Sequence, residues 1–414
     1  MKKTLLLSVV ASTMMMAGGD IAPVVVAPVV EEVSGWEFSG QAAVWYQTHD
    51  FAANDLFSQG EASTGTVGNS RADFGLQLRA VNKDVFGGIG FGGEVSGLST
   101  LNLENSVVSG VMQATGNGDI DDVTDGGWIS QLYMTYGMGN TSFKLGRQEL
   151  PKSLSPFAFS EHWNVFANTF DAALIVNTDI SNTTLVGAWV AGGNTNGIST
   201  NMSDFNSIND DDGVYMLTVQ NKSIEGLTVT GTWYIAPDMA VTDDINILWG
   251  DANYAFSDYY VALQGGAVMS DAFLDDTAAV GVKAGGNFGI FSASLAYTSV
   301  DEGDTGVFNV GGVKTPLYTQ MILNQGAINS DNDTFVARAG LKALGGKFGL
   351  AYDYTTDNSV IDNDYQELDL TYKTKVFNDS TTLFAGYIYR NWDKTIKGLD
   401  DTDNVLRFWG KYNF

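Results

Sequence analysis

Charged side chains recur on alternate positions in several stretches of this chain, out of phase with apolar ones. Arg338 and Lys342 alternate with Phe335, Ala337, Ala339 and Leu341. Glu367, Asp369, Lys373 and Lys375 alternate with Leu368, Leu370 and Tyr372. Arg407 and Lys411 do the same against Leu406, Phe408 and Tyr412. Arg71, Arg79, Lys144, Arg390, Asp73 and Asp353 share that phase in their own segments. A period of two puts each set on one face of a strand. A charge on the lipid face of a barrel costs about 2–4 kcal/mol at mid-membrane, so these faces are expected to look inward. Ladders of inward charge set the selectivity of a pore. The plainer alternative is that the charges pair with one another and only keep the interior wet.

Other motifs are weaker. The stretch "PKSLSPFAFSEHWNVFA", 151–167, carries Glu161, His162 and Trp163, groups suited to lining a constriction. "GIGFGG", 88–93, matches a nucleotide-loop spacing, but no helix follows it and no lysine is placed to cradle phosphate. "DIDDVTDGG" is no calcium loop: Val123 stands where a ligand is needed and Leu132 where the closing glutamate belongs. The chain has 2 histidines and no cysteine, which leaves little for a thiolate metal site or a catalytic triad. No cofactor is expected beyond divalent cations at acidic loops.

The elements that must carry the charges are strands. About eighteen alternating runs are predicted, near 35–48, 70–82, 86–97, 127–137, 141–150, 168–179, 182–193, 213–222, 225–236, 243–255, 258–270, 276–287, 289–300, 333–343, 347–356, 364–376, 380–391 and 403–414. Their connections alternate between tight ("GMGN", "LGGK", "FNDS") and mostly long (49–69, 98–126, 151–167, 194–212, 301–332, 392–402). Short periplasmic turns and long extracellular loops produce that alternation in a membrane barrel, and strands of about ten residues cross its apolar band. The expected fold class is all-β, a closed antiparallel transmembrane barrel of about eighteen strands, with sixteen the alternative. The closing stretch "NVLRFWGKYNF" continues the alternation to Phe414, as it can where the last strand pairs with the first.

Residues 1–19 read as a secretory signal, with Lys2 and Lys3 ahead of a short apolar run. Residues 20–34, with Pro23 and Pro28, read as an extended linker, leaving 35–414 for the barrel. The formal charge of −27 argues against a nucleic-acid partner. The acid is concentrated in connections such as "NDDDG", "SVDEGD" and "GLDDTD", a solvated surface or a mouth that gathers cations.

The terminal Phe414 after alternating aromatics resembles the assembly signal of bacterial outer-membrane barrels. Together with the signal and the strand pattern, the chain resembles a Gram-negative porin. Gly146-Arg147-Gln148, Pro151 and Thr169-Phe170 are similar to a motif of the OprD-like porins. The resemblance implies an 18-stranded barrel in the outer membrane, passive diffusion of small hydrophilic solutes and ions, and a preference for small carboxylates, amino acids or peptides. It implies Arg71, Arg79, Lys144, Arg338, Lys342, Lys373, Arg390, Arg407 and Lys411 as pore lining, and 151–167 as a constriction loop. Lipid, lipopolysaccharide and the barrel-assembly machinery are the implied partners, with a homotrimer possible for the family. A non-conducting barrel serving as adhesin or anchor is the competing reading. Strand phase sends Arg147 outward, so either a bulge turns it or it sits at the rim.

Overall fold

The computed structural model describes residues 35–414 except 52–54, 62–65, 104–107, 117–124, 211, 241–242 and 395–400. The signal and linker expected at 1–34 lie outside the described residues. Eighteen long strands form one closed antiparallel sheet. They are β1 Glu37–His49, β2 Arg71–Phe86, β3 Ile89–Ser99, β4 Asp125–Met138, β5 Thr141–Gln148 and β6 Phe170–Asn177. Next come β7 Thr183–Gly193, β8 Val214–Asn221, β9 Leu227–Ala240, β10 Asp243–Phe256, β11 Tyr259–Met269 and β12 Thr277–Phe288. The last six are β13 Phe291–Val300, β14 Asn332–Ala343, β15 Gly346–Asp357, β16 Tyr365–Val376, β17 Thr381–Trp392 and β18 Thr402–Asn413.

Closure is made by β18 on β1, from Gln41 opposite Asn413 to His49 opposite Val405. Gly40 and Phe414 extend the ladder by exchanging backbone hydrogen bonds of 2.8 and 3.0 Å. A closed sheet leaves no edge, which is what lipid requires of a strand bundle. The outer face is apolar: Phe74, Leu76 and Leu78 on β2, Val280 and Val282 on β12, and Leu350 and Tyr352 on β15 are exposed. Their alternating partners point inward, so the period of two in the sequence maps onto the two sides of the wall.

The tight connections are true hairpins. Gly87–Gly88 and Leu344–Gly345 each have two successive positive φ angles, as a two-residue turn matched to strand twist requires. Two strands run four residues past their predicted ends. β2 reaches Phe86 rather than 82, and β9 reaches Ala240 rather than 236. Each does so through a register shift, between Asn82 and Phe86 and between Ala236 and Ala240. The shift leaves polar, turn-like residues such as Lys83, Asp84 and Asp238 out of the register, while the strand resumes pairing beyond them.

The long connections turn inward. Phe157 of the loop 149–169 packs edge-on against Tyr234 of β9 and Trp249 of β10, with ring centroids at 5.9 and 5.2 Å. Further along the same loop the Asn164 carbonyl meets Lys411 of β18 at 3.5 Å. β9 and β18 lie half a circuit apart, so this loop crosses the lumen. Trp163 Nε1 donates to the Ile322 carbonyl of the loop 301–331, and Gln113 Nε2 to the Phe166 carbonyl. The crossing loop is thereby locked between two others.

Candidate functional site

The interior divides into two unlike halves. Against β6–β13 the loops build an apolar pack of Leu150, Phe157, Phe170, Met216, Trp249, Val300, Leu317 and Ile328. Against β14–β18, β1 and β2 the wall is charged. The register makes its order explicit. Lys342 stands opposite Lys347, Lys347 opposite Lys373, Lys373 opposite Phe384, Phe384 opposite Trp409, and Trp409 opposite Trp45. One hydrogen-bonded row therefore carries three lysines and then three aromatics. Barrel strands tilt by roughly 40°. A row perpendicular to them descends obliquely, here to Lys342 and Lys347 beside the Leu344–Gly345 turn.

The aromatic part is a slab. Trp409 stacks on Phe384 at 5.1 Å and on Trp45 at 5.6 Å, with planes within 9° and 12°. Lys373 lies 5.4 Å from the Trp409 ring, and Lys411 lies 5.7 Å from Trp409 and 5.6 Å from Trp45. Ammonium over indole is attracted by the ring quadrupole, which holds the lysine heads against the wall. Lys347, Lys373, Lys411, Phe384 and Trp409 remain half-exposed, and Lys342 is exposed.

Nearer the mouth the charges serve the loops. Arg338 is 6% exposed and donates from Nη2 to the Gln320 carbonyl at 2.8 Å and from Nη1 to the Tyr318 carbonyl at 3.4 Å. Glu367 accepts from the Leu323 backbone N–H at 2.9 Å, and Asp353 accepts from Asn324 Nδ2. These three pin the loop 301–331 to β14–β16. Arg407 is 3% exposed, donates to Gln47 at 2.7 Å and lies 4.6 Å from the Trp163 ring. Arg390 is ion-paired with Asp403, which also has His49 Nδ1 at 3.4 Å. Arg338, Arg390 and Arg407 thus point inward, as strand phase requires, but they are covered or paired rather than bare lining.

On β2–β5 a mixed cluster faces this wall. Arg79 donates to Tyr133 Oη at 3.1 Å, and Lys144 Nζ sits 3.9 Å from the Tyr133 ring. Glu94 accepts from Ser130 at 2.7 Å and from Gln77 at 3.2 Å. Glu149, just past β5, has His162 Nε2 at 3.6 Å. The histidine and the surrounding cations hold its carboxyl below the ordinary glutamate range against a burial effect that opposes them. Arg71 lies half-buried near the mouth, opposite Gln47.

The expected constriction group is dispersed. His162 alone is half-exposed. Glu161 is 2% exposed: it accepts from Asn309 Nδ2 at 2.7 Å and from the Val313 and Lys314 backbone N–H groups at 3.0 and 2.8 Å. It joins two loops and does not face open water. Trp163 is buried under Arg407. Sequence periodicity marks which strand residues face inward, but it says nothing of how one loop meets another. Arg147 keeps the outward phase, opposite lipid-facing Leu132. It pairs with Asp171 through two contacts of 3.0 and 3.1 Å at the outer rim, 3.2 Å beneath the Phe205 ring.

Lys283 of β12, Lys152 and Lys314 were not among the expected residues. Lys283 hides among small residues in "AAVGVKAGG", and the other two lie in loops. Among the described residues no three His, Asp or Glu side chains converge as a metal-ligand set. Much of the acidic stretches 117–124 and 395–400 lies outside the described residues.

No protein-family model and no curated protein sequence matches the chain. Solved structures do. Acinetobacter baumannii OccAB3 is similar over 92% of this chain and 99% of its own, at 14% identity and a TM-score of 0.71. Pseudomonas aeruginosa OccK8 (OprE) is similar over 92% and 98%, at 14% identity and 0.68. Pseudomonas aeruginosa OpdK, solved with vanillate, is similar over 91% and 98%, at 12% identity and 0.69. The fold is that of the OprD-like outer-membrane porins.

Proposed function

We propose that the chain is an outer-membrane channel for passive diffusion of small hydrophilic solutes, favouring those that carry a carboxylate. The observation that carries this reading is the oblique row Lys342–Lys347–Lys373–Phe384–Trp409. Like charges set directly opposite one another destabilise a sheet. Three adjacent lysines on a wall are therefore a poor structural choice and a good path for an anion. A carboxylate handed from ammonium to ammonium stays paired while water is stripped from it. The stacked rings beside the lysines suit solutes with a planar apolar part, and the likeness to a channel solved with an aromatic carboxylate agrees with this.

The mixed cluster of Glu94, Glu149, Arg79 and Lys144 on the facing wall gives the lumen a transverse field, which orients dipolar solutes as they pass. The apolar loop pack fills the other half of the bore and keeps the path narrow. A closed barrel acting as an anchor or adhesin would use that pack equally well, but it has no use for the lysine row. In this reading the chain sits among lipid and lipopolysaccharide and reaches the membrane through the barrel-assembly machinery.

Planar-bilayer recording with the purified protein tests the proposal. Stepwise conductance and a reversal potential shifted by millimolar benzoate against chloride are expected. A barrel that inserts and passes no current would end the channel reading.

A further inference from the structure

Three lysines from three separate elements lie near one another in the lumen, beside Tyr318, whose carbonyl accepts from Arg338, and two strands before the oblique row begins. Lys152 belongs to the crossing loop, Lys314 to the loop 301–331, and Lys283 to the middle of β12. Lys152 Nζ donates to the Thr315 carbonyl at 3.0 Å and lies 5.1 Å from the Phe159 ring. Lys283 Nζ lies 4.4 Å from the Tyr318 ring and 5.7 Å from the Tyr260 ring. Lys314 is 8% exposed, next to Thr315.

Two carboxylates lie within reach, and each also accepts hydrogen bonds from neutral donors. Asp251 accepts the Tyr318 hydroxyl. Glu161 accepts three N–H groups of the loop 301–331, as described above. The backbone carbonyl and the aromatic faces leave donor capacity on Lys152 and Lys283, since each ammonium carries three N–H bonds. Lys152 is repelled by both Lys314 and Lys283, so the group sits in a field of its own sign. Burial first, and those two neighbours next, bring it down to about 7, against weaker support from Glu161 and Asp251. An anion placed among the three would reverse that balance.

We propose that Lys152, Lys283 and Lys314 form a binding site for a small dianion of the phosphate class, distinct from the lysine row on β14–β16. Three ammoniums arriving from a loop, a second loop and the wall match several oxygens of a tetrahedral ion. A lone carboxylate is better served by a planar arginine fork. Lys283 is half-exposed towards the lumen and supplies the way in. Because two of the three groups belong to loops inside the lumen, an occupied site would also tie those loops to β12.

Binding of inorganic phosphate to the full-length protein in detergent, read by calorimetry at pH 7 and moderate salt, tests this. The native protein should show one saturable site that equimolar chloride does not displace. Lys152→Met with Lys283→Met should weaken it by about tenfold or more, that is by about 1.4 kcal/mol or more. Lys152→Arg should keep most of the affinity, and Lys222→Gln, on a periplasmic turn, all of it. Heat-modifiable gel mobility identifies the folded variants. Undiminished binding in the folded double variant, or equal displacement by chloride, would overturn the proposal. Binding in detergent requires no current, so a barrel that proved closed would leave this result standing on its own.

Discussion

Lys347 of β15 stands directly opposite Lys373 of β16, both pointing into the lumen. Lys342 completes the row on the other side of Lys347. Cross-strand like charges cost of the order of 0.2–1 kcal/mol per pair. Lys347→Gln with Lys373→Gln should therefore hold or slightly raise the melting temperature. The same change should lower the permeability of benzoate relative to potassium by about two- to fivefold, the scale of one ion pair at about 4 Å in water. A variant that melts lower and conducts unchanged would assign the lysines to structure instead.

Glu161 governs how the loops meet. Its carboxylate takes three donors from the loop 301–331. Glu161→Ala leaves those buried N–H groups without an acceptor, at about 1–3 kcal/mol each. Glu161→Gln retains one acceptor oxygen and should lose less. The expected phenotype of the alanine variant is a noisier open state and faster cleavage of the loop 301–331 by external protease. Equal noise and cleavage in native and alanine proteins would show that the junction is held elsewhere.

How much of this was legible in the sequence follows from what periodicity can encode. All eighteen strands are legible because lipid on one side and water on the other impose a strict alternation. In "QELDLTYKTK" that alternation places Glu367, Asp369 and Lys373 inward, and there they are. Whether an inward charge meets water is set by loops, which strand periodicity does not encode. Arg338 and Arg407 look like Lys373 in sequence, yet both are covered by chain from distant loops. Lys283 is hard to read from pattern because its inward neighbours Gly281 and Gly285 blur the polar face. The sequence suggests Glu161 as a constriction residue, whereas its partners Asn309, Val313 and Lys314 lie about 150 residues away and are invisible to local pattern.

Closure of the barrel rests on a small residue. A side chain at Gly40 would run into the Phe414 ring, its β-carbon 2.4 Å from the nearest ring atom, and into the Gln77 carbonyl at 2.8 Å. Gly40→Val should push the terminal ring off the wall and weaken the β1–β18 ladder at its periplasmic end. Less of the heat-modifiable folded form is expected after insertion into vesicles. Gly40→Val with Phe414→Ala should recover part of the loss, because one of the two clashes is gone. No recovery would place the whole cost on the Gln77 carbonyl.

Proton linkage at Lys152 gives the last prediction. The groups facing it are Lys314 and Lys283, which repel it, and Glu161 and Asp251, which attract it less. With its pKa brought down to about 7, the side chain is charged at pH 6 and largely neutral at pH 8. In the unfolded chain it keeps its proton to much higher pH. Between about 7 and the ordinary lysine range the unfolded state binds more protons, so this group makes folding stability rise with pH across that window. For transport the sign is opposite. Deprotonation removes one positive charge from the lumen, so chloride permeability relative to potassium should fall as pH rises from 6 to 8. A drop of about two- to fivefold is expected from one charge at close range in water. Reversal potentials in a potassium chloride gradient measure it directly. The Lys152→Met channel should show the low ratio at both pH values, and any pH response left in that variant belongs to other groups. A native channel whose ratio is flat across this range would mean that the crossing loop keeps Lys152 charged, or keeps it out of the ion path.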